Sequence, residues 1–175
     1  MAEGESLGLD MGKIFEVIIE IVKIICKSLV FLLIAFLVWW LILIPIGNNL
    51  ILNKYVKELK QYDTGSDYEI IEQISACGKL YGNGNGMEYM VMLLIKSDKE
   101  LEETSMTGSW EGTWVIRADN KERLDDGLLN VHGAYRTENM LEVLEKLESR
   151  DGYYILYSLH SAEWDSFWTW DIRAH

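Results

Sequence analysis

Three side chains near the C-terminus are of types that bind metal ions or transfer protons. His160, Glu163 and Asp165 fall within six positions, and with His175 they can supply nitrogen and oxygen ligands to a metal. A membrane-bound, metal-dependent hydrolase that uses His160 with Glu163 or Asp165 is therefore one hypothesis. Because the histidines lack ligand-type spacing, the sequence assigns no catalytic residue, no metal ligand and no cofactor.

Two other patterns contain residue types that can carry chemistry. Cys77 can act as a nucleophile if His132 or His160 serves as its base, but no local signature accompanies these residues. The glycine-rich residues 82–86 precede a β-type run, whereas phosphate-binding loops follow a strand and open a helix. We therefore predict a buried, unreactive Cys77 and a turn at residues 82–86.

The charge distribution favours a binding role over catalysis. The net charge of −12 arises entirely after residue 60: residues 1–60 contain six Lys and six Asp/Glu, whereas residues 61–175 contain ten Lys/Arg and twenty-two Asp/Glu. An anionic domain repels phosphate backbones, which excludes nucleic acid as a partner. It suits a basic protein partner, and Trp164 between Glu163 and Asp165 is the candidate anchor of that surface.

An uncharged stretch of twenty residues, 28–47, dominates the N-terminal part. As a helix with a rise of about 1.5 Å per residue it spans about 30 Å, which matches the hydrocarbon thickness of a bilayer. We therefore predict a transmembrane helix, and the lipid bilayer is the first expected partner. Pro45 and Gly47 are expected to end or kink it.

A charged stripe lies just before this span. Its members are spaced three, four, three and four positions apart, so they share one face of a helix; they are Lys13, Glu16, Glu20, Lys23 and Lys27. One interpretation is an amphipathic helix in the headgroup layer with the stripe facing water. The alternative is one long helix whose stripe contacts another subunit, or a second copy of the chain, inside the membrane.

These features divide the chain into four parts. They are a tail with an amphipathic helix (1–27), a transmembrane helix (28–47), a juxtamembrane stalk or second interfacial helix (48–61) and an acidic domain (62–175). Lysines flank the span on both sides, so the positive-inside count is balanced. A short tail before an uncleaved span behaves as a signal anchor, which predicts an extracytoplasmic C-terminal domain.

The acidic domain has mixed secondary-structure signals. Capping boxes predict a helix that starts at Ser66 and buries Cys77, and a short helix over residues 98–106. Strands are expected at residues 87–96, 110–118, 128–135, 153–160 and 167–173, with a helix after Thr137. Trp168, Trp170 and Ile172 are expected on one face of the last strand. The order predicts an α+β fold, with a mainly antiparallel sheet and helices on one face.

Overall fold

The computed structural model describes residues 11–80, 86–104, 112–120, 124, 137–162 and 167–174. The chain divides into two compact units, Met1–Trp39 and Trp40–His175. The α+β class is confirmed, because a long apolar helix precedes a four-stranded antiparallel sheet.

The N-terminal helix is longer than the predicted span. Helix α1 (Met11–Val38) continues into a π-helical turn (Trp39–Leu43) and then into α2 (Ile44–Lys60). The helix therefore does not end at Pro45 or Gly47. Proline lacks an N–H and crowds the carbonyl one turn earlier, and the wider π turn directly before Pro45 accommodates it.

The apolar side chains of α1 lie on the surface of their unit. None of its 28 residues is buried, and the helix Met11–Lys60 contains a stretch with a mean hydropathy of 3.0. It is long and apolar enough to cross a membrane.

The sheet of the C-terminal unit has the strand order β1–β2–β4–β3, with all neighbours antiparallel. Its strands are β1 (Glu69–Gly78), β2 (Glu88–Lys96), β3 (Gly112–Arg117) and β4 (Tyr153–Ser161). Helix α3 (Thr137–Glu145) precedes β4. The predictions of β2, β3, β4 and α3 are confirmed.

The two faces of the sheet are covered by different helices. Along β2, Met90, Met92 and Leu94 pack in one core cluster with Met140 and Leu144 of α3. The β2 residues between them belong to a second cluster, together with Leu52, Val56 and Leu59 of α2. Since successive side chains of a strand point to opposite faces, the helices cover both faces, whereas the sequence suggested one.

Helix α2 therefore belongs to the core of the C-terminal unit. Leu59 is 3% exposed and Ile44 only 1% exposed. Within the predicted stalk or interfacial helix, Leu52, Val56 and Leu59 are buried against the sheet and Tyr55 is partly buried.

The predicted helix after Ser66 is wrong, because residues 69–78 form strand β1. Asp63 accepts a hydrogen bond from Gly65 N (2.8 Å) and Thr64 donates to Ser66 O (2.8 Å), so the polar residues form a turn. The residues that follow then adopt an extended conformation because they pair with β2. Cys77 is partly buried and packs against the second cluster, which agrees broadly with the core prediction.

The predicted helix over residues 98–106 is also wrong for the described residues 98–104. Ser97 Oγ accepts from Lys99 N at 3.2 Å and closes one bend. Leu101 is 4% exposed and packs in the second core cluster, so this segment lies against the sheet. Residues 105 and 106 lie outside the described part.

The predicted last strand is wrong as well. Residues 167–173 form two short 3-10 helices, Phe167–Trp170 and Ile172–Ala174. The buried carboxylate of Asp171 accepts from Arg173 N at 3.0 Å, which closes a turn at the point where a strand would extend. Trp170 and Ile172 are exposed and do not face the core. The predicted turn at residues 82–85 and strand at residues 128–135 lie outside the described residues.

Candidate functional site

The sequence-predicted binding residues Glu163, Trp164 and Asp165 lie outside the described residues, as do His132 and His175. The acidic tryptophan loop and its metal-binding alternative therefore stay predictions. Within the part of the chain that the structure describes, no group of three His, Cys, Asp or Glu side chains is arranged to hold a metal ion.

His160 is held between two neighbours on the α2 side of the sheet. Its ring stacks on Tyr55 of α2 with the centroids 3.8 Å apart and the planes 5° apart. Its Nε2 lies 2.8 Å from Ser158 Oγ, which also accepts from Thr113 at 3.3 Å. Ser158 is 2% exposed, whereas His160 is only partly buried. The hydrogen bonds and the ring contact of this pair join α2, β3 and β4.

The charged stripe lies entirely on helix α1 and is exposed. Lys23 Nζ and Glu20 Oε1 are 2.6 Å apart, so these two residues of the stripe form the ion pair that opposite charges one helical turn apart can make. An exposed pair of this kind is worth only about 0.3–0.5 kcal/mol in water. The pair also lowers the free-energy cost of placing these two charges near the hydrocarbon layer, where unpaired charges are costly.

The most developed polar arrangement was not predicted from the sequence. Its centre is Asp171, which is 0% exposed in the C-terminal segment. Its carboxylate accepts from Asn48 Nδ2 (2.8 Å) and from Arg173 Nε and Nη2 (2.9 and 2.7 Å). Asn48 Oδ1 in turn accepts from the hydroxyl of Tyr89 at 2.6 Å. We call these four side chains the buried polar network.

Arg173 extends this network to the start of α2. Its guanidinium donates to Asn49 Oδ1 (3.0 Å) and to the carbonyl of Pro45 (3.2 Å). Its own carbonyl accepts from Lys79 N at 2.7 Å, directly after β1. The network therefore joins the C-terminal segment to α2 and to the end of β1.

The electrostatics of the network favour the charged forms of its ion pair. Burial alone would raise the pKa of Asp171, but hydrogen bonds from Arg173 and Asn48 outweigh it and hold that pKa below its ordinary value. The hydrogen bond with Asp171 likewise raises the pKa of Arg173. Burial is the main cause that raises the pKa of Tyr89, so its phenol stays a neutral donor.

One sequence signal could have pointed to this network. Asn48 and Asn49 directly follow the uncharged stretch 28–47, and Asp171 and Arg173 lie two positions apart between apolar residues. Polar groups in apolar surroundings need partners. No local pattern pairs residues separated by 123 positions.

The two edges of the sheet differ. Along β3, Val115 exchanges two hydrogen bonds with Thr104, at 3.1 and 2.7 Å, and Arg117 N donates to Glu103 Oε1 at 2.8 Å. Residues 103–104 therefore cover the edge of β3. Among the described residues β1 pairs only with β2, and five consecutive residues of β1, 69–73, are exposed.

Comparison of the chain with models of known protein families, with curated proteins and with solved structures gave no match.

Proposed function

We propose that this chain is a single-pass membrane protein whose helix α1 anchors a non-enzymatic protein-interaction module. The observation that carries the anchor is the exposure of α1: none of its 28 residues is buried. Phe31 is 70% exposed and Leu33 58% exposed. Since burying one such side chain gains about 1.5–3 kcal/mol, a face of this size favours lipid over water.

The anchor is tested by fractionating cells that express the full chain. We expect it in the membrane fraction, resistant to alkaline carbonate and released by detergent. Replacing Leu33 and Leu37 together with arginine should release the chain, because each arginine at a helix centre costs about 2.5–3.5 kcal/mol of insertion. Leu50→Arg, on the exposed side of α2, is the control. Soluble unsubstituted chain without detergent would refute the anchor.

For orientation we propose an extracytoplasmic C-terminal unit. Lys23 and Lys27 lie at the N-terminal side of the apolar stretch, whereas the first lysine after it is Lys54. Cations within about 15–20 residues of a span favour the cytoplasm, and by number the lysines on the two sides balance. The assignment is supported by the closer position of Lys23 and Lys27. Glu142 is an exposed residue of α3. The variant Glu142→Cys, in a Cys26→Ser and Cys77→Ser background, should react with an impermeant maleimide on intact cells. Reaction only after permeabilisation would reverse the assignment.

The interaction module is supported by the exposed start of β1, residues 69–73, which pairs on one side with β2 and has no second neighbouring strand among the described residues. An edge strand offers backbone N–H and C=O groups to an extended segment of a partner, which joins the sheet as a further strand. Ile70 and Ile71 are 38% and 39% exposed there, and Glu69 and Glu72 flank them. We therefore propose that the partner is a protein with an extended segment that carries basic side chains.

A photocrosslinking amino acid at position 71 tests this docking edge in cells. We expect an adduct of one discrete mass from position 71 and none from position 142 on α3. Replacing Glu69 and Glu72 with lysine should abolish the adduct without lowering the thermal midpoint of the chain. An adduct that survives this double replacement, or forms equally from position 142, would argue against the β1 edge.

A further inference from the structure

Two large apolar side chains near the C-terminus face solvent. Trp170 is 54% exposed and Ile172 is 51% exposed, and they flank the fully buried Asp171. We call Trp170 and Ile172 the C-terminal apolar pair. The sequence predicted both side chains on one face of a strand. The two 3-10 helices instead direct both side chains towards solvent.

Hydrogen bonds fix this pair beside the start of α2. Trp40 Nε1 donates to the carbonyl of Trp170 at 2.7 Å, while Arg173 donates to the carbonyl of Pro45. Asp171 between them binds Asn48. The C-terminal segment therefore lies along the helix at the level of residues 40–49, all within the unit Trp40–His175.

We propose that the C-terminal apolar pair inserts into the interfacial layer of the bilayer that holds α1, as a second attachment of the C-terminal unit. The side chain of Arg173 is 35% exposed, and a cation is costly in the hydrocarbon layer. Since Arg173 donates to the carbonyl of Pro45, both residues lie at the depth of the headgroups. Trp40 lies five residues earlier, about 8 Å along the helix axis. An interfacial layer about 5–7 Å thick on each side then places Trp40 and Trp170 at its inner boundary, where tryptophan is enriched.

The same geometry moves the C-terminal end of the membrane span. Ile44 is 1% exposed and Asn48 is 0% exposed, so protein rather than lipid surrounds them. The span then ends near Trp39 and Trp40, several residues before the uncharged stretch ends.

This inference rests on the proposed membrane anchor, so its test must separate the two. The full chain, with Cys26 and Cys77 replaced by serine, is labelled with a nitroxide at one of three single cysteines and reconstituted into phosphatidylcholine–phosphatidylglycerol vesicles. The cysteines are Ile172→Cys for the pair, Leu33→Cys for the anchor and Glu142→Cys for an exposed position of α3. Collision rates with oxygen, which prefers lipid, and with a water-soluble nickel chelate report the depth of each label.

We expect oxygen to dominate at position 33 and the nickel chelate to dominate at position 142. At position 172 we expect an oxygen-to-nickel ratio several-fold above that at position 142 and below that at position 33. A ratio at 172 equal to that at 142, with position 33 in lipid, would overturn the inference and leave the anchor intact. Water-like values at position 33 would overturn the anchor itself.

Discussion

Asn48 of helix α2 donates a 2.8 Å hydrogen bond to the carboxylate of Asp171, although 123 positions separate the two residues. Both side chains are 0% exposed. This contact joins the start of α2 to the C-terminal segment. Because Asp171 lies between Trp170 and Ile172, the contact also holds the C-terminal apolar pair against α2.

Asp171→Asn should destabilise the C-terminal unit by about 1–3 kcal/mol, because it replaces a buried carboxylate oxygen by an NH2 group that faces the N–H donors of Asn48 or Arg173. Arg173 would keep its charge and lose its carboxylate partner. The free energy of unfolding can be measured by urea titration of the full chain in detergent, followed by near-ultraviolet circular dichroism. The exposed Asp67→Asn is the matched control and should change stability by less than about 0.5 kcal/mol. Equal effects of the two changes would refute the role of the network.

The pH dependence of stability should reflect the titration of Asp171. The pKa of Asp171 is lower in the folded chain than in the unfolded chain, where it is about 3.9. Its contribution is therefore complete above the unfolded pKa and is lost as the pH falls through the folded pKa. The thermal midpoint should fall between pH 5 and about pH 3, and more steeply for the unsubstituted chain than for Asp171→Asn. Parallel profiles for the two proteins would contradict this assignment.

Leu59→Ala should destabilise the unit by about 2–5 kcal/mol, because it removes a buried side chain of α2 and leaves a cavity against the sheet. Leu59 is 3% exposed, whereas Leu50 on the same helix is 65% exposed. Leu50→Ala is thus a control of identical chemistry and should have little effect in the same urea titration. If α2 were a detached stalk, neither change would affect the unfolding of the sheet.

Gly78→Ala should be more destabilising than Gly65→Ala. Both glycines have a positive φ, +149° and +75°, and a side chain in such a conformation costs roughly 1 kcal/mol or more. A Cβ at Gly78 would also lie 3.0 Å from the carbonyl oxygen of Arg173, whereas a Cβ at Gly65 meets no atom within 4 Å. Hydrogen exchange at Lys79 N, which donates to that carbonyl, should accelerate in Gly78→Ala alone.

Several elements were predictable because their signals are local. Strands β2 and β4 contain runs of at least five apolar or aromatic residues, and α3 places Met140 and Leu144 on one face after Thr137. The pairing of Glu20 with Lys23 also followed from spacing along one helix. None of these elements needs a distant partner in order to be recognised.

The capping-box predictions failed for a physical reason. Ser97 Oγ accepts from Lys99 N, and Ser66 O accepts from Thr64 within a turn. Serine is typical of helix starts, but it also closes turns. Contacts made further along the chain decide between the two: nine β1 residues pair with β2, and Leu101 packs into the core. These long-range contacts outweigh a local preference for helix.

The sequence by itself determined the apolar helix, the location of the negative charge and the α+β class, because hydropathy and charge are sums over neighbouring residues. Only the tertiary structure decided that α2 and α3 lie on opposite faces and that Asp171 is buried beside Asn48. It also decided that Trp170 and Ile172 face outward. Which side chain a buried carboxylate meets depends on the path of the whole chain, and residue spacing does not encode that path.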